Sequence, residues 1–380
     1  MAGVTKSKKV LVGLSGGVDS SVAATLLKKQ GYAVEGAYMH CWGSGPYCTA
    51  VQDQADAAAV AATLDISFHV FNFEKEYKEA VIDKFFKEYK AGRTPNPDVL
   101  CNKEIKFGLF LKKALSLGFD YIATGHYARI RDQGTEDREQ QTKDKEVKNT
   151  RIRNTPPTYQ LLTGLDQDKD QSYFLYLLGQ EQLARTLFPL GNLTKKEVRK
   201  LALEFGLPTA NKPDSTGICF VGEAPIKEFL LQKIKIRRGD IVSNDGKLLG
   251  KHIGVPFYTI GQREGLGISA TVPYYVSDKQ AKTNTLVAVP FGHEALFKDK
   301  FIVTSAHWIT GREPKYPLKI EVKLRYRSGN ISAIITQTDS CKYLEVTLEQ
   351  SARAITPGQA AVFYSGEEVL GGAVIEKVIE

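Results

Sequence analysis

The sequence predicts an α/β fold followed by β structure: an N-terminal doubly wound parallel sheet, a small central β domain and a C-terminal barrel or sandwich. Three observations predict it. In the first half short apolar runs alternate with helical patterns. After about Pro208 glycine-punctuated short strands replace the helical rhythm, and from about Ala288 most segments alternate apolar and polar residues. These shifts divide the chain into 1–207, 208–287 and 288–380.

The apolar runs Lys9–Leu14, Ala33–Met39 and Phe68–Phe73 are separated by helical patterns over Ser20–Lys29 and Asp53–Leu64. This βαβαβ order puts ligand sites beyond the carboxyl ends of the strands. Asn96–Leu117 reads as a helix, with Phe107, Phe110, Leu111, Ala114 and Leu115 at helical spacing and Gly118 as its stop. A buried strand, Tyr121–Ala123, follows. The mixed-charge stretch 131–157 has too few apolar residues to fold by itself and is read as a mobile surface insertion. A strand resumes at Tyr159, and Thr194-x-x-Glu197 forms a capping box opening a helix that ends near Gly206 and Pro208. In the last domain Ile320, Val322, Leu324 and Tyr326 face one way, and Lys319, Glu321, Lys323, Arg325 and Arg327 the other. That basic face is either a solvated strand surface or a phosphate-binding one, with Tyr326 and Tyr343 as stacking surfaces.

A length of 380 residues calls for two or three domains, and 42% hydrophobic with 25% charged residues excludes a disordered or fibrous chain. No run of eighteen apolar residues exists, and Met1–Lys9 is too short and polar for an export signal, so a cytoplasmic protein without a membrane partner is expected. Five cysteines in that compartment are thiols, not a disulfide framework. A net charge of +8 is compatible with a polyanionic partner.

Gly13-Leu14-Ser15-Gly16-Gly17-Val18-Asp19-Ser20 lies where the first strand turns into the first helix. Its glycines admit phosphates to the backbone N–H groups, and the helix N-terminus adds partial positive charge. The loop lacks the lysine of Walker-type loops, which disfavours γ-phosphate transfer, and SGGVDS resembles the PP-loop of ATP pyrophosphatases. Asp19 serves either a Mg²⁺ ion or the helix N-terminus. Met39, Gly125 and His126 also lie at strand ends, where packing explains them equally well.

In GRTPNPDVLCNKEIKFG, Asp98 and Cys101 are three apart in a first helical turn and share a face. A thiol there is favoured as a thiolate, so Cys101 is a nucleophile or else a core cysteine, and Asp98 a proton-handling group or a cap. Cys219 lies in the glycine-containing loop DSTGICF at the junction of the first and central domains. Cys41, Cys48 and Cys341 lack metal-ligand spacing, so no metal site of the protein's own is expected.

Together SGGVDS, GRTPNPDVLCNKEIKFG, TGHYAR, GLDQDKDQSYFL, DSTGICFVGE, GQREGLGI and TPGQAAVFY resemble the bacterial tRNA-specific 2-thiouridylases over nearly the whole chain. The resemblance implies a PP-loop catalytic domain of adenine nucleotide alpha hydrolase type, a central β domain and a C-terminal β-barrel that grip the anticodon arm of tRNA. It implies that ATP with Mg²⁺, and no prosthetic group, adenylates the C2 oxygen of the wobble uridine, and that sulfur then displaces AMP at C2. The sulfur would arrive from a relay protein as a persulfide on Cys219, with Cys101 as nucleophile and a Cys101–Cys219 disulfide as one outcome. The same resemblance gives Gly13–Ser20, Met39 and Gly125 to ATP, and Asn96, Pro97 and Asp98 to the target base. It gives His126, Lys169, Asp170, Gln171, Arg325, Tyr326 and Gln359 to tRNA. The 131–157 insertion departs from the family pattern. The alternatives are a PP-loop synthetase adenylating a small molecule, and an RNA-binding protein without activity.

Overall fold

The computed structural model describes residues 7–43, 49–133, 158–214, 226–340 and 342–379. Cys48, Cys219, Cys341 and nearly all of the charged insertion lie outside the described residues.

Five parallel strands form the first sheet in the order Phe68–Asn72, Ala33–His40, Lys9–Gly13, Tyr121–Ala123 and Thr186–Leu187. The first strand is central, which is why Val10, Leu11 and Val12 are fully buried. Helices Val18–Lys29 and Ala50–Thr63 cover one face. The other face carries a helical run over Glu74–Lys90, broken by a π-helical turn at Lys78–Ile82, and a second over Pro97–Ser116, π-helical from Cys101 to Phe110. The first of these runs was not read from sequence, although Tyr77, Val81, Phe85 and Tyr89 are buried at a spacing of four. The capping box forms as expected: Thr194 Oγ1 accepts the Glu197 N–H at 3.3 Å, and Glu197 Oε2 accepts the Thr194 N–H at 2.7 Å. It opens helix Lys195–Glu204.

The central sheet has four strands ordered Tyr274–Gln280, Thr285–Pro290, Gly239–Val242 and Leu248–His252. In the last domain six strands close on themselves, because Phe297–Trp308 pairs with both Tyr343–Arg353 and Glu368–Val378. This closure is a barrel and excludes the sandwich. Phe301, Val303, Val322, Ile335, Val346, Phe363 and Ile375 fill it.

The domains are stitched together. Strands Ala128–Asp132 and Tyr159–Thr163 of the first domain pair with each other, and Leu161 and Leu162 pair with Val369 and Glu368 of the barrel. Arg131 and Asp132, assigned above to the insertion, are therefore strand residues with Asp132 opposite Tyr159. One buried cluster runs from Leu11 and Met39 through Cys101 and Tyr173 to Val276 of the central sheet and Tyr364 of the barrel.

The basic strand face needs correction. The strand ends at Lys323, so Arg325 and Arg327 lie beyond it. Lys323 is buried, with Nζ 3.4 Å from Asp170 Oδ2, because the first domain covers this side of the barrel. Of the five residues expected outside, Lys319 and Arg327 are exposed and Glu321 and Arg325 are half-buried.

Candidate active site

The Gly13–Ser20 loop stands at the carboxyl end of the central strand. Gly16 has φ +71°, and a Cβ there would lie 2.2 Å from the Asp53 carbonyl oxygen, so only glycine permits this turn. Ser20 Oγ accepts the Ser15 N–H at 3.1 Å and donates to the Gly17 carbonyl at 3.2 Å, which fixes the loop over the helix start. Gly17 caps that helix in extended conformation and has no side chain of its own to take up the orphan N–H groups of its first turn. Gly125 packs against the same turn: a Cβ there would be 2.7 Å from the Ser20 nitrogen. Met39 is buried with its methyl group against Gly13, so it forms floor beneath the loop.

Asp19, in the first helical turn, accepts from Tyr127 Oη at 2.8 Å and from Lys195 Nζ at 2.7 and 2.8 Å. Lys195 Nζ also lies 2.8 Å from Asp214 Oδ1. Asp214 in turn takes Lys169 Nζ at 2.8 Å and an Arg199 nitrogen at 2.6 Å. Burial pushes the Asp214 carboxyl up, but Lys169 and Lys195 outweigh it and hold the group well below its ordinary range. Burial and Asp19 hold the Tyr127 phenol well above its usual range, so it acts as a donor. Nothing local in the sequence announces this network; Lys195 and Asp19 are 176 residues apart.

The second part of the site is the segment entering helix Pro97–Leu100. Asn96 is the N-cap, its side chain accepting the Val99 N–H at 3.4 Å, and Pro97 occupies the first helical position. Asp98 is half-buried, and Cys101 is fully buried beside Asn102, whose Nδ2 donates to the Phe174 carbonyl at 3.2 Å. Cys101 follows the opening turn Pro97–Leu100, so it lies one turn further from the helix start than the sequence reading put it, and it is fully buried. The barrel holds this segment in place. Gln359 Nε2 donates to the carbonyls of Thr94 and Pro95 at 2.8 and 3.2 Å, Thr94 N–H donates to Pro357 at 3.0 Å, and Arg93 pairs with Glu376 at 2.7 Å.

Several residues grouped above as tRNA contacts are committed inside the protein. Asp170 is 3% exposed and accepts from the Gly164 and Ser172 N–H groups at 3.0 and 3.1 Å as well as from Lys323. A carboxylate so enclosed is spent on the protein's own donors. Gln171 Oε1 accepts the Tyr127 N–H at 3.1 Å, and Lys169 is held by Asp214. His126 is buried with Nδ1 2.7 Å from Thr124 Oγ1, and burial, helped by nearby Lys106, keeps its pKa well below the usual value, so the ring is neutral at pH 7. Gln359 spends its amide donors on the 94–95 segment. Arg325 is half-buried, donating to the Ala354 carbonyl at 2.6 Å, and Tyr326 packs on Phe174 at 4.8 Å between ring centroids.

Among the described residues no group of three or more His, Cys, Asp or Glu side chains is placed to hold a metal ion, and no helix is long and apolar enough to cross a membrane.

The family described as the tRNA methyl transferase HUP domain matches residues 8–223; the tRNA methyl transferase PRC-barrel domain matches 227–290, and the aminomethyltransferase beta-barrel domain matches 298–375. A tRNA-specific 2-thiouridylase of Ruthia magnifica subsp. Calyptogena magnifica is 47% identical over 99% of both chains. One from Salmonella paratyphi B is 48% identical over 97% of both, and one from Geobacillus thermodenitrificans is 46% identical over 97% of this chain and 95% of its own.

Proposed function

The chain belongs to the tRNA-specific 2-thiouridylases, and on that premise we propose that it uses ATP to replace the C2 oxygen of the wobble uridine of tRNA with sulfur. The observation that carries the reading is a lysine-free phosphate loop at a helix N-terminus in the same domain as a buried cysteine that follows the first turn of a second helix. The loop amides and Ser15 hold the phosphates. The uridine O2 attacks the α-phosphorus, the Pα–O bond to the β-phosphate breaks, and pyrophosphate leaves with the electron pair. C2 now carries AMP, a far better leaving group than oxide.

Sulfur enters from a relay protein as a persulfide on Cys219. Cys101 thiolate attacks the Cys219 sulfur and releases the terminal sulfur as hydrosulfide, which adds to C2 and expels AMP. Electrons balance: two thiols become one disulfide while the sulfane sulfur is reduced, and an external thiol resets the pair. Asn96, Pro97 and Asp98 hold the base, and half-buried Asp98 is the group placed to manage its N3 proton. Mg²⁺ suits Asp19, since this ion needs one carboxylate beside phosphates and water, and it would neutralise phosphate charge. These are the steps of a cytoplasmic enzyme.

The family descriptions mention methyl transfer, whereas the curated relatives are thiouridylases. The phosphate loop supports the second, because displacing the C2 oxygen needs a leaving group made from ATP, whereas a methyl donor already carries its own. The test is the fate of ATP. Unmodified tRNA together with a persulfide donor is expected to elicit AMP and pyrophosphate in equal amounts. ADP with phosphate, or ATP cleavage stimulated by a small carboxylate or amide and not by tRNA, would reject the reading in favour of a kinase or a small-molecule synthetase.

A further inference from the structure

We propose that Lys195 receives the β- and γ-phosphates of ATP and stabilises the departing pyrophosphate, supplying from a distant helix the lysine that the loop lacks. This rests on the ATP reading above. No residue from Gly13 to Ser20 is cationic, although three phosphates must be neutralised there. Asp19, to which Lys195 is bound, is the second residue of the loop's helix, so it lies only about 3 Å along the axis from the Gly17 cap. Lys195 is anchored firmly: it is the first residue of its own helix, and its N–H donates to Asp166 Oδ2 at 2.8 Å. Its side chain is 14% exposed, which keeps the ammonium out of bulk water, where its attraction for phosphate would be weak.

The surroundings allow the ammonium to change partners. Asp214 retains Lys169 and Arg199 when Lys195 leaves, and Asp19 retains Tyr127 Oη. Neither carboxylate is stranded, so the exchange of a carboxylate for a phosphate costs little. With ATP in place Lys195 has exchanged Asp19 for the terminal phosphates, which leaves the Asp19 carboxylate open to Mg²⁺. As the Pα–O bond breaks, negative charge builds on the leaving oxygen, and the protonated lysine meets it without proton transfer. The other reading is a fixed tie between the loop and Asp214, with no ligand.

Lys195→Gln separates the two. Pyrophosphate and ATP affinities are expected to fall about 10- to 100-fold, the worth of one charge-assisted hydrogen bond or two. AMP, which lacks the outer phosphates, should bind within about threefold of wild type on the same estimate, and Lys195→Arg should recover much of the loss. Equal weakening of all three ligands, or no weakening of any, overturns the assignment. In the wild-type protein, pyrophosphate should shield Lys195 from amine acylation read by peptide mass spectrometry, and AMP should not. That measurement decides the matter even if the variants fold poorly; equal labelling with and without pyrophosphate overturns it. A wild-type protein that binds neither ATP nor pyrophosphate removes the ATP reading itself, and this one with it.

Discussion

Cys101→Ser is expected to lower thiolation of tRNA from a persulfide donor by roughly 10³-fold or more, the scale seen when a nucleophile is removed from a group acting as a unit. A second quantity separates lost chemistry from general damage: tRNA-dependent pyrophosphate release should survive, because the serine lies outside the phosphate loop. The exchange is nearly isosteric but buries a hydroxyl in an apolar cluster, so the retained pyrophosphate release also reports that the fold is kept. Cys219→Ser should show the same loss of thiolation and the same retained pyrophosphate release. If Cys101→Ser kept a tenth or more of the wild-type rate (roughly 1.4 kcal/mol of barrier), Cys101 would be a core cysteine and not the nucleophile.

Asp170→Ala should be the most damaging substitution outside the chemistry. It leaves the Lys323 ammonium, with a side chain 11% exposed, without its carboxylate, and deprives the Gly164 and Ser172 N–H groups of their acceptor. Breaking such a buried pair costs about 3–5 kcal/mol. The cost falls on the joint between the first domain and the barrel, since Asp170 belongs to one and Lys323 to the other. Thermal and denaturant unfolding should both show the loss. Asp170→Asn with Lys323→Met removes both charges and should recover part of it. A change below about 1 kcal/mol for Asp170→Ala would mean that the pair is solvated and the joint loose.

The parallel sheet, helix Pro97–Ser116 and the Thr194 capping box were legible because each depends on neighbours in sequence: strand length, apolar spacing, a cap and a stop. The loop was legible for the same reason, since Ser15, Gly17 and Ser20 make their hydrogen bonds within six residues. What the sequence concealed depends on distant partners. Period-two alternation places Lys323 outside its own strand's core but cannot reveal that another domain covers that side. Motif resemblance groups Lys169, Asp170 and Gln171 without distinguishing residues that touch a ligand from those that hold the residues that do. Lys195 follows a capping threonine and looks like an ordinary first-turn lysine; only folding brings it to Asp19. Gln359 likewise acts on a segment 264 residues away.

The most direct test of the central claim is mass spectrometry of nucleosides from unmodified tRNA incubated with the protein, Mg-ATP and a persulfide donor. The account predicts 2-thiouridine at the wobble position, dependent on ATP and lost in Cys101→Ser and Cys219→Ser. Unmodified uridine there despite an intact sulfur source, or a methylated nucleoside formed with a methyl donor in place of the thiolated one, would contradict it.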